Sequence, residues 1–448
     1  MGPGALGAQV TVPCILIARV VANQIDAAIK AGKTVTACFL LPRTASPYAE
    51  YHYGTPVSQI STLANIGMNV YNRETTTLSG WILKAEITEP SGNVSILELP
   101  LPDLAPGADT LVFFPTYDPP AETGKFTVKY TNNKYNESRD TLYREFEQTD
   151  YTFAMDKLSV QADGGARRDD LFAPTLKYQI GGLIATGPDG GVGRYCTFGI
   201  TDADTIYVAD NPAANIINVL VYDADLDNDG LIDLINDFEA DLTSNVVGLG
   251  TYEVTGEETE TNLLDVIVTD FNTGDTGITM LPNHPYYVTV LYDGTANGSG
   301  KNCSFSNSAY VDYLAFTNES SQALPSTPMK IGTSFSYWGD RTVITRLQME
   351  GYESSTKQTG KNLDKSQFTL TPNPANDLVT LNLDLKAKSN TVNVSILSGL
   401  GNTMRSQTLK DFQNGQINFN VTDVPSGTYL MWIRTAEGQA MTKVTICH

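Results

Sequence analysis

The sequence predicts an all-β chain: tandem β-sandwiches, a smaller β-sandwich at the C-terminus, and one short helical segment near the N-terminus. Three observations carry this. Apolar and polar residues alternate over short runs, the period of a strand that buries one face. Gly, Pro, Asn and Asp stand between the runs, where the chain must turn, and 37 Gly and 22 Pro supply them. The runs are rich in Thr, Val and aromatic residues, with 22 Tyr and 16 Phe, which suit a pleated surface better than a helix.

At 448 residues the chain has room for roughly two to four domains, each with its own core. A formal net charge of -21 leaves no basic field for phosphate backbones, so neither nucleic acid nor anionic membrane is expected as a partner. No apolar run reaches the ~18 residues that a transmembrane segment needs.

Residues 1–50 form an N-terminal segment. Ile15, Ile17, Val20, Val21, Ile25 and Ile29 fall roughly on one side of an amphipathic helix over residues 15–31. Met1 to Gln9 lack the basic start of a Sec signal peptide, and the apolar stretch is interrupted by Arg19, Gln24 and Asp26.

Residues 51–156 read as one sandwich. A run from Val57 to Val70 ends in the polar turn Asn72-Arg73-Glu74, residues 81–87 alternate before Glu89-Pro90-Ser91-Gly92, and further strands are expected at 110–114 and 124–130. The bend around Pro106-Gly107, followed by Gly124-Lys125-Phe126-Thr127-Val128-Lys129-Tyr130, is similar to Ig-like CARDB-type modules of secreted bacterial proteins. That resemblance implies a spacing, presenting or adhesive role.

Asp163 to Asp170 mark a boundary, and residues 170–352 suit a larger, jelly-roll-like sandwich. Strands are expected at 194–200, 216–222, 247–254, 264–268, 286–292 and 340–350, with a polar linker over 353–367. Within this domain Asp225, Asp227, Asp229 and Asp233 occupy positions 1, 3, 5 and 9 of an EF-hand-like loop. Hard oxygens at alternate positions before a glycine can converge on Ca²⁺, and without a cation such carboxylates repel. Position 12 is Asn236 instead of the bidentate Glu, so a structural Ca²⁺ is expected with a completing ligand from elsewhere; an acidic solvated hairpin is the alternative.

Residues 368–448 contain alternating runs at Val379, Leu381, Leu383 and Leu385 and at Val392, Val394 and Ile396. Pro372, Asn373, Pro374, Asn376 and Asp377 open the segment, Gly401 and Asn402 turn it, and Gly427, Tyr429 and Lys443 close it. These motifs, in this order, resemble the type A C-terminal sorting domain of the type IX (Por) secretion system. The resemblance implies the type IX secretion machinery as a partner, an extracellular or outer-surface location, and cleavage with attachment to a surface lipopolysaccharide as common outcomes.

Catalytic constellations are thin. His52, His284 and His448 stand in no HExxH pattern and beside no GxSxG motif, so no enzyme activity is expected. The five cysteines form no CxxC pair; an exported chain could join Cys14 to Cys38 and Cys196 to Cys303, or keep buried thiols. Tyr337 and Trp338 offer a glycan platform or subunit contact, with core packing as the alternative. The expected function is a secreted or surface structural or adhesive protein that self-assembles through edge strands into a homo-oligomer or polymer. A surface-glycan-binding protein is the alternative, and a secreted hydrolase the third reading.

Overall fold

A computed structural model of the chain describes residues 19–33, 45–47, 53–63, 66–72, 74–134, 141–159, 178–209, 215–226, 245–259, 261–292, 303–308, 328–331, 334–337, 342–354 and 362–448. The chain divides into two units, residues 1–43 and 44–448. The first contains helix α1 (Arg19–Lys30). An Asp26–Lys30 pair at 2.7 Å supports its exposed side. It stops at Gly32, whose φ of 71° suits the left-handed C′ position, with Gly32 N–H donating to Ile29 and Lys33 N–H to Ala28. Ile15 and Ile17 lie outside the described residues, and Ile29 is exposed.

The second unit opens with a sandwich. One sheet holds β1 (Ala45–Pro47), β3 (Gly67–Tyr71) and β6 (Asp109–Phe113) in the order β1-β3-β6. The other runs β2-β8-β7-β4-β5, from β2 (Gly54–Pro56), β4 (Ile82–Thr88), β5 (Val94–Pro100), β7 (Gly124–Asn132) and β8 (Leu142–Thr149). Leu83, Ala85 and Ile87 of β4 face Val128 and Tyr130 of β7 in the core, while Lys84 and Glu86 face outward. Lys84 pairs with Glu98 across to β5 at 2.6 Å. The run expected from Val57 is a 3-10 turn at Val57–Gln59, with a strand only from Gly67. Asn72 is the polar turn: its side chain accepts from Glu74 N–H and donates to the Leu104 carbonyl.

The larger sandwich faces two sheets. The first has the order β15-β13-β12-β17-β10-β19-β20, built from β10 (Tyr178–Ala185), β12 (Ile216–Asp223), β13 (Val246–Glu253), β15 (Thr269–Asp270), β17 (Pro285–Tyr292), β19 (Pro328–Ile331) and β20 (Ser334–Tyr337). The second has the order β14-β11-β22-β9, from β9 (Thr152–Phe153), β11 (Gly191–Phe198), β14 (Leu264–Ile267) and β22 (Thr345–Met349), and β16 (Ile278–Met280) adds to β11. A short ribbon of β18 (Asn307–Ser308) and β21 (Thr342–Val343) and a one-turn helix α2 (Ala203–Ile206) complete it.

Ile217, Val219, Val221, Tyr286, Val288, Val290 and Tyr292 enter the core between the sheets. Leu220, Tyr222, Tyr287 and Leu291, on the other face of the same strands, are buried as well. That double burial explains why β12 and β17 read as nearly continuous apolar runs and not as alternation. Cys196 and Cys303, read as a candidate disulfide, are free thiols buried in this core.

The C-terminal module holds β23 (Phe368–Thr371), β24 (Leu378–Leu397), β25 (Thr403–Asn420), β26 (Gly427–Thr435) and β27 (Gly438–Ile446), in the order β23-β24-β26-β27 with β25 on β24. Its core draws only on residues between Leu363 and Ile446. The two alternating runs of the sequence are one strand, β24, in which the buried positions change from odd to even numbers. The pairing with β25 shifts between Asp384 and Ser389, and that irregularity restores the core-facing phase. Buried Ser389 holds it, donating to Thr391 O at 2.7 Å and accepting from Ala436 N–H at 3.0 Å.

Candidate functional site

The opening motif of the C-terminal module is pinned to its last strand. Asn373 Nδ2 donates to Lys443 O at 2.9 Å, and Asn373 Oδ1 accepts from Thr445 N–H at 2.8 Å. Both proline bonds of the motif, before Pro372 and Pro374, are cis. Ala375 N–H donates to Thr445 O, and Cys447 N–H to Ala375 O, so the segment runs beside β27. Asn376 Oδ1 lies 3.1 Å from His448 Nδ1, and Asp377 O accepts from Val421 N–H. Tyr429 is buried with its hydroxyl donating to Pro425 O at 2.7 Å, which locks the turn before β26. Gly427 starts that strand opposite Ile446.

Other motif residues touch the large sandwich. Gly401 has φ 72°, and a Cβ there would fall 2.4 Å from the Asn218 carboxamide, so both conformation and space require glycine. Its carbonyl accepts from Asn218 Nδ2 at 3.4 Å, and its neighbour Asn402 follows it out of the turn. Lys443 Nζ donates to Asn272 O at 2.7 Å, and Gly274 leaves room for the Lys443 backbone.

Around these contacts, Leu397, Leu430 and Trp432 of the module share one buried cluster with Leu220, Tyr222, Leu249 and Phe271 of the large sheet. Arg434 stacks on Trp432, its guanidinium carbon 3.9 Å from the ring centroid, and Arg434 Nη1 pairs with Glu253 Oε2. Burial pushes the Arg434 pKa down to about 10, which leaves it charged at neutral pH. Sequence reading missed Trp432 and Arg434. The signal was there: residues 429–433 are apolar without alternation, because Tyr429, Met431 and Ile433 fill the module's own core while Leu430 and Trp432 face the body.

Of the acidic loop, Asp225 alone is among the described residues; Asp227, Asp229 and Asp233 lie outside them. Asp225 is buried, and its N–H donates to Asp223 Oδ1 at 3.0 Å. Among the described residues no three His, Cys, Asp or Glu side chains gather as a metal centre. His284 is buried, with Nε2 2.7 Å from Asp223 Oδ1 and its ring edge-on to Tyr286. Tyr337 ends β20, with its side chain outside the described atoms, and Trp338 lies outside the described residues. A cavity of about 290 Å³ opens between the first and second sandwiches, lined by Gln59, Arg144, Phe146, Thr186 and Asn283 among others.

No helix among the described residues is long and apolar enough to cross a membrane. A family model described as a secretion system C-terminal sorting domain matches residues 369–447. No curated protein matches the chain. Among solved structures, the BSP domain of a biofilm-associated protein is similar at 10% identity and TM-score 0.18, covering 90% of this chain and 81% of that one. Dimeric latent PorU from Porphyromonas gingivalis gives 13% identity and TM-score 0.15, covering 90% of this chain and 34% of that one. Invasin, a bacterial integrin-binding protein, gives 9% and 0.15, with 91% and 60% covered. The chain thus spans about a third of the PorU chain and three fifths of the invasin chain, and superpositions this loose carry no functional argument. Residues 369–447 are a type IX C-terminal sorting domain, and the protein that carries it is exported to the cell surface or the extracellular space.

Proposed function

We propose that this is a structural or adhesive protein of the cell exterior, a non-enzymatic body of two sandwiches carried out by its sorting domain and able to associate with copies of itself. The observation that supports association is the edge of the first sandwich. β5 pairs with β4 on one side, and among the described residues no strand pairs with its other side. Val94 and Ile96 on its outer face are 51% and 59% exposed. An apolar edge strand of this length is a template for a second strand. Light scattering on the purified chain tests it. Mass rising with concentration, and falling back to monomer for Ile96→Lys, is the expected result; a monomer at every concentration contradicts it.

In this reading the loop at Asp225, Asp227, Asp229 and Asp233 binds Ca²⁺ as a structural ion. Added Ca²⁺ then raises the melting temperature and Asp229→Asn abolishes the rise, whereas equal melting in calcium and chelator removes the ion from the account.

The cavity between the sandwiches favours a second reading, glycan binding. Its size is near the lower end for small-molecule sites, and it offers a cation, an aromatic ring and several hydrogen-bonding side chains. Glycan-array binding lost in Arg144→Ala and Phe146→Ala supports this reading. Loss in Tyr337→Ala and Trp338→Ala instead moves the site to the aromatic pair.

A further inference from the structure

We propose that the outer face of the large sheet is a binding site for the C-terminal module, one that holds the module without the peptide connection between them. The site is the ground formed by Leu220, Tyr222, Leu249 and Phe271, and its occupant is the β26 face that presents Leu430, Trp432 and Arg434.

Four features distinguish this contact from a tether. First, each side has its own core: the module's core lies wholly within residues 363–446, and the sheet's inner face packs against the second sheet. The shared cluster is therefore an interface between two folded bodies. Second, it is apolar at the centre, with Leu397 and Trp432 buried to 2% and 3% exposure, where a tag riding on a linker would leave them in water. Third, it is keyed. Glu253 meets Arg434, which stacks on Trp432, and a part-buried charge is held best by its partner. Fourth, glycines let the two sides approach closely: a Cβ on Gly274 would fall 2.7 Å from the Lys443 backbone N, and one on Gly399 3.0 Å from the Phe271 ring.

Two residues of the sorting signature, Gly401 and Lys443, lie in this contact. A partner that reads them meets the module only when it is off the body. The body's own folding also enters, because β12 and β13 must be paired in register before Leu220 and Leu249 present one surface. Docking is thus a property of the folded sheet and not of the sequence near it.

The test places a protease site between Ser354 and Asn362 in the full chain, cuts the folded protein, and follows both pieces by size-exclusion chromatography at micromolar concentration. Co-elution of the pieces is expected. Glu253→Arg should release the C-terminal piece, and Glu253→Arg with Arg434→Glu should restore co-elution, which separates loss of the contact from loss of folding. Separation of the pieces in the protein with the native interface, each keeping its β circular dichroism, overturns the proposal. So does co-elution that is indifferent to Glu253→Arg.

Discussion

Arg346→Met removes one half of a buried ion pair and leaves the other half in place. Arg346 Nε and Nη2 donate to the two carboxylate oxygens of Asp156 at 2.9 and 2.6 Å, a two-pronged pairing. Asp156 has no exposure and Arg346 is 8% exposed. The pair joins the segment after β9 to β22, so it stitches the exit of the first sandwich into the second. Methionine keeps much of the volume but leaves the Asp156 carboxylate buried without its cation. Removing one partner of such a pair costs about 3–5 kcal/mol. With a urea dependence of about 3 kcal/mol per molar, the midpoint should fall by ~1–2 M. The assay is urea unfolding followed by circular dichroism on the native chain and the variant. Asp156→Leu with Arg346→Met should recover most of the loss, because a well-packed apolar pair removes the stranded charge. The Lys365–Asp275 pair, at 2.6 Å but with side chains 77% and 62% exposed, is the control; Lys365→Met should cost no more than about 1 kcal/mol. A fall for Arg346→Met as small as that of the control would refute the reasoning.

Three further outcomes follow from particular contacts. Burial works against the Glu258 charge, but bonds from the Thr255 and Gly256 N–H groups, the Thr255 hydroxyl and the Tyr252 hydroxyl outweigh it and hold the carboxyl below its ordinary 4.5. A depressed folded pKa contributes stability present above the unfolded value and lost as pH falls through the folded one. Glu258→Gln should therefore lower the urea midpoint at neutral pH, and its difference from the native chain should shrink below about pH 4.5; a pH-independent difference contradicts this. Asn373→Ala removes two bonds to β27, worth about 1–3 kcal/mol together, and should speed hydrogen exchange of the Thr445 amide on the order of ten- to hundred-fold; unchanged exchange would show that the motif is not pinned there. Gly401→Ala introduces a Cβ at φ 72° against Asn218 and should lower the melting temperature, while Gly427→Ala, in an exposed strand start, should change it little.

How far the sequence carried depends on how many faces of a strand are buried. β4 and β7 bury one face, and their alternation is legible directly. β12 and β17 bury both, so the run marks a strand without saying what covers its second face. Part of that cover is the sorting domain, roughly one to two hundred positions further along the chain, a separation no local pattern encodes. The sorting motifs were legible because Pro, Asn and Gly are demanded at fixed places by turn geometry and by Asn373. Trp432 and Arg434 were legible only in part: the unbroken apolar run 429–433 marks a strand buried on both faces, but nothing local says that its second face and the Arg434 beside it meet a neighbouring domain. β24 shows the converse: two runs out of phase looked like two strands, and one register shift makes them a single strand. The pairing of Asp223 with His284 was not legible, because it needs β12 beside β17.

The most direct measurement of the central claim, a sandwich body exported by its C-terminal module, is surface labelling in a bacterium that has the type IX machinery. The full chain is compared with one lacking residues 369–448, each detected on intact cells and after lysis. The full chain should be labelled on intact cells or recovered from the medium, and the shortened chain should be detected only after lysis. Equal labelling of both on intact cells would contradict the account.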